Sequence, residues 1–353
     1  MGRHCRRLSL FLLPLITACT VDDGRTKKRR NRDKAVDCVM PMVDRPDGIV
    51  FDTLSSGSNM SCGVTPASEL LCWGSRLPGG GRNLGTIYDS CPSVEKQYQS
   101  VHMGENYHCA LTTDGLAECW YDDPPGSFAP PVVPETEVFT SISVLRDAWA
   151  VGACGLKPSG DVQCWGRAEW IPAALPESAF PVQQLALPSD LNFGHVCVIQ
   201  ADSSVYCFDE YGPFEDDGRD FPVGFFDGPA SKVVARGSSV CIQSESGRLD
   251  CQTEGYTDEA LISYSQGTWL DFDLGGCGTC PPLVCKQTSV GEIQCDGWLN
   301  YGALDAPLGT YSMFDVGFGH ICALDERGLA VCWGMDSSGQ CSGVPTDNYA
   351  SYD

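Results

Sequence analysis

Positive charge is scarce in most of this chain. Ten of its 23 Lys and Arg residues fall in the first 34 positions, so residues 35–353 hold 13 basic against 43 acidic side chains, a net of −30. A phosphate backbone calls for a basic face, so this body is not built to bind nucleic acid. The apolar run from Leu8 to Ala18 is too short to span a bilayer as a helix. No Ser/His/Asp set, no glycine-rich phosphate loop and no helix of metal ligands appears. Amphipathic helical periodicity is missing as well, which turns attention from helices to strands.

What the chain has instead is cysteine, 21 in all. Fourteen form pairs ten residues apart: Cys62/Cys72, Cys109/Cys119, Cys154/Cys164, Cys197/Cys207, Cys241/Cys251, Cys285/Cys295 and Cys322/Cys332. Successive pairs start 37 to 47 residues apart. With Thr112 facing Leu116, the loop is Thr113-Asp114-Gly115, a type I turn closed by a left-handed glycine. Leu111 then opposes Ala117, and Cys109 opposes Cys119. Five repeats carry the glycine (Gly115, Gly160, Gly247, Gly291, Gly328), and two carry Ser68 and Ser203, where a left-handed backbone costs more. The residues two steps inward from the cysteines are mostly apolar, for example Val64, Leu156 and Leu324; Gln243 and Gln287 break the pattern. Directly opposed cysteines lie within disulfide range, which predicts seven cross-strand disulfides in an oxidising compartment. Zinc prefers ligand spacings of two to four residues, often with histidine, and fits a tenfold offset poorly.

The N-terminus points to export. Arg3, Arg6 and Arg7 precede the short apolar run, as in a signal peptide. Leu15-Ile16-Thr17-Ala18-Cys19 has the form of a bacterial lipobox, with Cys19 as the lipidated residue and residues 1–19 as leader; an ordinary signal peptide cut near Ala18 is the alternative. Thr20 rather than aspartate after the cysteine favours the outer membrane, on its periplasmic or surface side. Residues 20–48 read as a basic disordered tether, with Arg25, Lys27, Lys28, Arg29, Arg30, Arg32 and Lys34. Beside an anchor, such a run suits anionic head groups, or is simply solvated.

From residue 49 to 353 the repeats follow without interruption. Short β-rich stretches precede each hairpin, and an aromatic often follows the second cysteine: Trp73, Trp120, Trp165, Phe208 and Trp333. Pro/Gly-rich loops then lead onward. Short strands at a period near 44 residues predict an all-β, seven-bladed β-propeller with cross-strand disulfides. Gly319-His320-Ile321-Cys322-Ala323-Leu324, Cys332-Trp333-Gly334 and Gly339-Gln340 together resemble the regulator-of-chromosome-condensation (RCC1) repeat, in the cysteine-paired form of exported bacterial proteins. Gly104 to Trp120 and Cys154 to Gly166 match too, while the fifth and sixth repeats depart, with Gln252 and Asp296 where tryptophan is expected. The resemblance implies a seven-bladed propeller used in exchange, inhibition, sensing or scaffolding. An exported, acidic chain meets no small GTPase, so exchange activity is not expected.

Five cysteines remain beyond the leader. Cys277-Gly-Thr-Cys280 has a redox spacing, but in a Gly/Pro-rich β repeat a structural disulfide fits better. Cys38 and Cys341 flank the array and are candidates for a bond that clasps the ring; Cys91 completes an odd set. His108, His195 and His320 recur just before first cysteines, which suggests a structural role. The acidic stretch from Glu215 to Asp220 lacks the alternating ligands of a calcium loop. No cofactor or metal is expected. These features favour an envelope-anchored module that binds an as yet unknown protein, with Trp120, Tyr121 and Trp170 as interface candidates. A carbohydrate-active enzyme using paired carboxylates in the propeller channel is the alternative.

Overall fold

The computed structural model describes residues 48–74, 96–121, 131–145, 151–188, 195–209, 212–213, 226, 228–237, 239–253, 267–276, 282–297 and 301–345. Among them are seven antiparallel sheets, one per cysteine pair. Blade 1 is β1 (Thr53–Ser56), β2 (Met60–Val64) and β3 (Leu70–Gly74); blade 2 is β4 (Tyr98–Met103), β5 (Tyr107–Thr112) and β6 (Ala117–Tyr121). Blade 3 is β7 (Ser141–Val144), β8 (Gly152–Leu156) and β9 (Val162–Gly166). Blade 4 is β10 (Val182–Ala186), β11 (Val196–Gln200), β12 (Val205–Asp209) and the short β13 (Gly212–Pro213). Blade 5 is β14 (Ala230–Arg236), β15 (Ser239–Ser244) and β16 (Leu249–Thr253); blade 6 is β17 (Asp271–Gly275), β18 (Leu283–Gln287) and β19 (Ile293–Asp296). Blade 7 is β20 (Tyr311–Val316), β21 (His320–Asp325) and β22 (Ala330–Gly334). First strands of neighbouring blades abut, and β1 meets β20 and β21 of the last blade, so the seven sheets close into a propeller. Among the described residues six blades have three strands and blade 4 has four.

Each hairpin has the anticipated register. Leu111 opposes Ala117 and Cys109 opposes Cys119, and the same offset recurs in the other six blades. Every pair is a disulfide within its own blade: Cys62–Cys72, Cys109–Cys119, Cys154–Cys164, Cys197–Cys207, Cys241–Cys251, Cys285–Cys295 and Cys322–Cys332, with Cα atoms 3.9–4.1 Å apart. The two halves of a staple differ in depth. First cysteines such as Cys197 and Cys241 are fully buried in the middle strand, whereas their partners Cys207 and Cys251 stand nearer the surface, because the third strand is the outermost of most blades.

The turn residue is left-handed in every blade: φ is 84° at Gly115, and the two serines adopt it as well, Ser68 at 63° and Ser203 at 65°. The reason lies in the next blade. The carbonyl of each turn residue accepts the N–H of the residue that opens the following blade: Ser68 from Tyr98, Gly115 from Phe139, Gly160 from Val182, Ser203 from Ala230, Gly247 from Trp269, Gly291 from Tyr311 and Gly328 from Phe51, at 2.8–2.9 Å. The seventh bond returns from the last blade to the first. A turn that satisfies its own hairpin thus also holds the neighbouring blade.

Apolar packing follows the same logic. The cysteine-bearing face of each blade packs on the next blade; Met60, Cys62, Val64 and Cys72 of blade 1 meet Tyr98, Val101 and Met103 of blade 2. Gln243 and Gln287, which interrupt the apolar pattern, are buried and donate across the junction to the Trp269 and Tyr311 carbonyls, at 2.8 and 2.6 Å. They do with a hydrogen bond what Leu111 or Leu156 does with methyl groups. Two elements were not expected: a one-turn helix α1 (Ile171–Ala174) and a 3-10 turn at Glu177–Ala179, which tuck Ile171 and Ala179 under blades 3 and 4. Proline in the first turn of α1 fits a helix start, because its missing N–H would be unpaired there anyway.

Cys341 is a free thiol facing the Met335 carbonyl; Cys38, its expected partner in a clasp, lies outside the described residues. Among the described residues the ring is closed by hydrogen bonding. Trp73 Nε1 of blade 1 donates to the Gln340 carbonyl at 3.1 Å, Ser338 Oγ donates to Asn59 Oδ1, and Val50 bridges Leu329. The Gly339-Gln340 segment therefore does for blade 1 what Ala303 does for blade 7, whose Trp333 Nε1 donates to the Ala303 carbonyl.

Candidate functional site

The innermost strand of each blade has a sheet partner on one side only, leaving an edge of backbone donors and acceptors toward the channel. Polar side chains of the preceding blade cover that edge. Ser55 Oγ accepts Met103 N–H; Ser143 Oγ donates to the Leu185 carbonyl; Gln184 holds both the N–H and the carbonyl of Val233. Lys232 donates to Asp271 and to the Phe272 carbonyl, both at 2.7 Å. Asp273 accepts Val316 N–H at 2.7 Å, and Asp315 accepts Ser56 N–H and Ser55 Oγ–H. Six of the seven junctions are joined in this way. The channel carboxylates Asp271, Asp273 and Asp315 are thus each engaged in holding blades together.

The fourteen paired cysteines carry no chemistry of their own. Cys207 is bonded to Cys197 and Cys251 to Cys241, and the other five pairs are likewise closed, so none of these sulfurs is a thiol that could attack a substrate or bind a metal. The three histidines sit at the ends of middle strands and are buried. His320 Nε2 lies 2.8 Å from Ser61 Oγ, across the junction between blades 7 and 1. Burial, followed by the nearby Arg236 charge, pulls the His320 imidazole down to about 4. The Cys341 thiol is pushed up to about 12, by burial and then by Asp336, so it is not a ready nucleophile. Cys19, Cys91, Cys277, Cys280 and the acidic stretch lie outside the described residues. Among the described residues no cluster of three His, Cys, Asp or Glu side chains could hold a metal ion. No helix among them is long and apolar enough to cross a membrane.

Of the aromatics expected at an interface, Trp120 is core, and Tyr121 and Trp170 are half-buried against it. Trp120 is buried, Tyr121 stacks on Tyr107 with centroids 4.8 Å apart, and Trp170 meets Phe208 edge-on at 6.0 Å. Burial raises the Tyr121 phenol to about 12. Of six large exposed apolar side chains among the described residues, four lie at the end of the ring that carries the hairpin turns; Val132 is exposed as well, and Tyr301 sits beside Gly319 at the other end. Val290 (64% exposed) forms the tip of the blade 6 turn, and Leu270 (62%) donates its N–H to Gln287 at the base of that hairpin. Fully exposed Leu308 precedes Tyr311, which binds the same turn, and Val138 lies beside the turn of blade 2. Exposed acidic residues Asp114, Asp202, Glu245 and Glu326 occupy four of the other turns. Nothing in the sequence flags this surface, because Val290 and Leu308 are single apolar residues within loops.

Seven disulfide-stapled hairpins around a polar channel define a β-propeller whose regular residues serve the scaffold. Residues 314–340, in blade 7, match the regulator of chromosome condensation (RCC1) repeat, and the cysteine pair of that blade recurs in the other six. Solved propellers share the fold at low identity. The CRINKLY WD40 ectodomain of the Arabidopsis thaliana receptor kinase ACR4 superposes with a TM-score of 0.56 at 18% identity, covering 84% of this chain and 98% of that one. The ectodomain of the Physcomitrella patens receptor kinase CR4 gives 0.57 at 16%, with 81% and 74% covered. Human WBSCR16 gives 0.54 at 13%, with 78% and 87% covered. Comparison with curated proteins gives no significant match.

Proposed function

We propose that this is an exported, lipid-anchored propeller that recognises a protein partner through its hairpin-turn face. The observation that carries the reading is the concentration of exposed Val138, Leu270, Val290 and Leu308 among acidic turns. Apolar contacts bordered by polar rims are the usual make-up of a recognition surface. The acidic turns select a partner that presents apolar side chains among basic ones. Seven disulfides suit an oxidising compartment, in keeping with Cys19 as the anchored residue and the outer membrane as the site. The reading is non-catalytic. The channel carboxylates Asp271, Asp273 and Asp315 are committed to backbone N–H groups and to Lys232, which disfavours all three as acid or nucleophile of the glycosidase alternative.

In-cell cross-linking with mass spectrometry, comparing the natural chain with a Leu270→Asp/Val290→Asp/Leu308→Asp variant, tests this. The expected result is a specific cross-linked protein that disappears in the variant while its melting temperature is kept. A partner captured equally by both proteins would move the interface elsewhere.

A further inference from the structure

Six of the seven blade junctions are spanned by continuous chain from one blade to the next; among the described residues the junction between blades 7 and 1 is held by side-chain and backbone contacts. At its centre lies a fully buried imidazole. His320 Nε2 is 2.8 Å from Ser61 Oγ of blade 1, and Ser61 Oγ in turn reaches Ser56 Oγ at 3.3 Å. Nδ1 has no hydrogen-bond partner among the described residues and faces Gly317 so closely that a Cβ there would come within 2.8 Å of it. Two charged groups bear on this ring, Arg236 and Asp336. Arg236, at the end of β14, is itself buried and acts on His320 from blade 5. Asp336, just after β22, opposes it; burial works against its ionisation, but Ser342 and Cys341 N–H groups hold its carboxyl below the usual range. Asp315, on β20 of the same blade, is occupied by Ser56 N–H.

The geometry points to His320 as an acid-sensitive latch: its protonation loosens the seam between blades 7 and 1 while the covalently continuous junctions stay shut. The imidazolium carries an N–H on both ring nitrogens, and the one on Nδ1 finds no acceptor among the described residues, in a buried site that already feels the Arg236 charge. The sign follows from linkage. The closed seam holds the imidazole neutral down to about pH 4, whereas an opened seam takes up the proton near the ordinary value of about 6.5. Stability at the seam is therefore fully present above about pH 6.5 and falls as pH drops toward 4. Between pH 7.5 and 5 the open form gains roughly 30-fold over the closed form. Asp336, lowered as it is, stays ionised over that window and does not mask the effect.

Hydrogen exchange of the full, disulfide-intact chain at pH 7.5 and 5.0, corrected for intrinsic rates, reads this directly. Peptides from β1, β2, β20 and β21 should lose protection about 30-fold more than peptides from β7 and β8 of blade 3. His320→Leu should abolish that difference, since blade 6 carries Leu283 at the equivalent position. His195→Leu, at the equivalent position of blade 4, should leave it intact. Should His320→Leu not fold, the exchange of the natural chain still decides. Equal loss in seam and blade 3 peptides, or a seam unchanged at pH 5.0, overturns the latch.

Discussion

Blades 3 and 6 solve one packing problem in two ways. In blade 3, Trp165 follows the second cysteine and packs on Phe139, which opens the blade, with ring centroids 5.8 Å apart; Gly155 lies flat against the same ring. Blade 6 opens with Trp269 but carries Asp296 where the tryptophan belongs. Lys286, in the place of Gly155, lies over the Trp269 ring at 4.7 Å, and Asp296 holds its ammonium at 2.9 Å. An aromatic pair is replaced by a cation on a ring, fixed by a carboxylate. The adjoining Gln287 then supplies by hydrogen bond the contact that Leu156 makes by packing. Departure from the repeat pattern at three positions in blade 6 is therefore one coordinated exchange, and the fold itself is indifferent to it.

The largest expected contrast is at the tryptophan position. Trp165→Ala removes a fully buried ring whose Nε1–H donates to Tyr107 Oη, and should cost about 4 kcal/mol in urea unfolding. Asp296→Ala takes a half-exposed carboxylate from the buried Lys286 ammonium, which keeps its place over Trp269, and should cost about 2 kcal/mol. Similar losses at both sites would mean that blade 6 is not an equivalent solution. Next come the staples. Replacing Cys154 and Cys164, or Cys285 and Cys295, with serine opens loops of one length, so each double variant should lose about 2–3 kcal/mol. A blade 6 loss much above that of blade 3 would show that the polar blade leans on its disulfide. Gln287→Leu restores the apolar pattern but strands the Tyr311 carbonyl, for an expected loss of about 1–2 kcal/mol; a gain in melting temperature would contradict the role given to that bond. Smallest is Ser68→Gly, which relieves a left-handed serine and should change stability by no more than about 1 kcal/mol, upward. A marked loss would show that the serine side chain itself holds the turn.

Much of the scaffold was legible because its determinants are local. Ten-residue spacing, a turn glycine and alternating apolar positions fix the hairpin, and even Ser68 and Ser203 take the backbone that their place in the repeat demands. The channel belt was not legible. Its members stand opposite first cysteines or two steps earlier, as Ser55, Ser143, Gln184, Lys232, Asp273 and Asp315, with no shared residue type. Their partners are backbone groups of the next blade, a relationship that spacing cannot show. Trp120 and Trp170 misled for a related reason: a tryptophan after a strand reads equally well as a loop anchor or as core, and only the neighbouring blade decides. The Gly339-Gln340 segment, which bonds to Trp73 of blade 1, could not be read from the sequence either, because its partner lies 267 residues away.

Peptide mapping of the unreduced protein tests most directly the claim that the repeated cysteines are a staple in each blade. The account predicts seven bonds, each joining cysteines ten residues apart, from Cys62–Cys72 through Cys197–Cys207 and Cys241–Cys251 to Cys322–Cys332, with Cys341 recovered as a free thiol. Bonds that join one blade to another, such as Cys207 to Cys241, or reduced pairs that bind zinc, would contradict it.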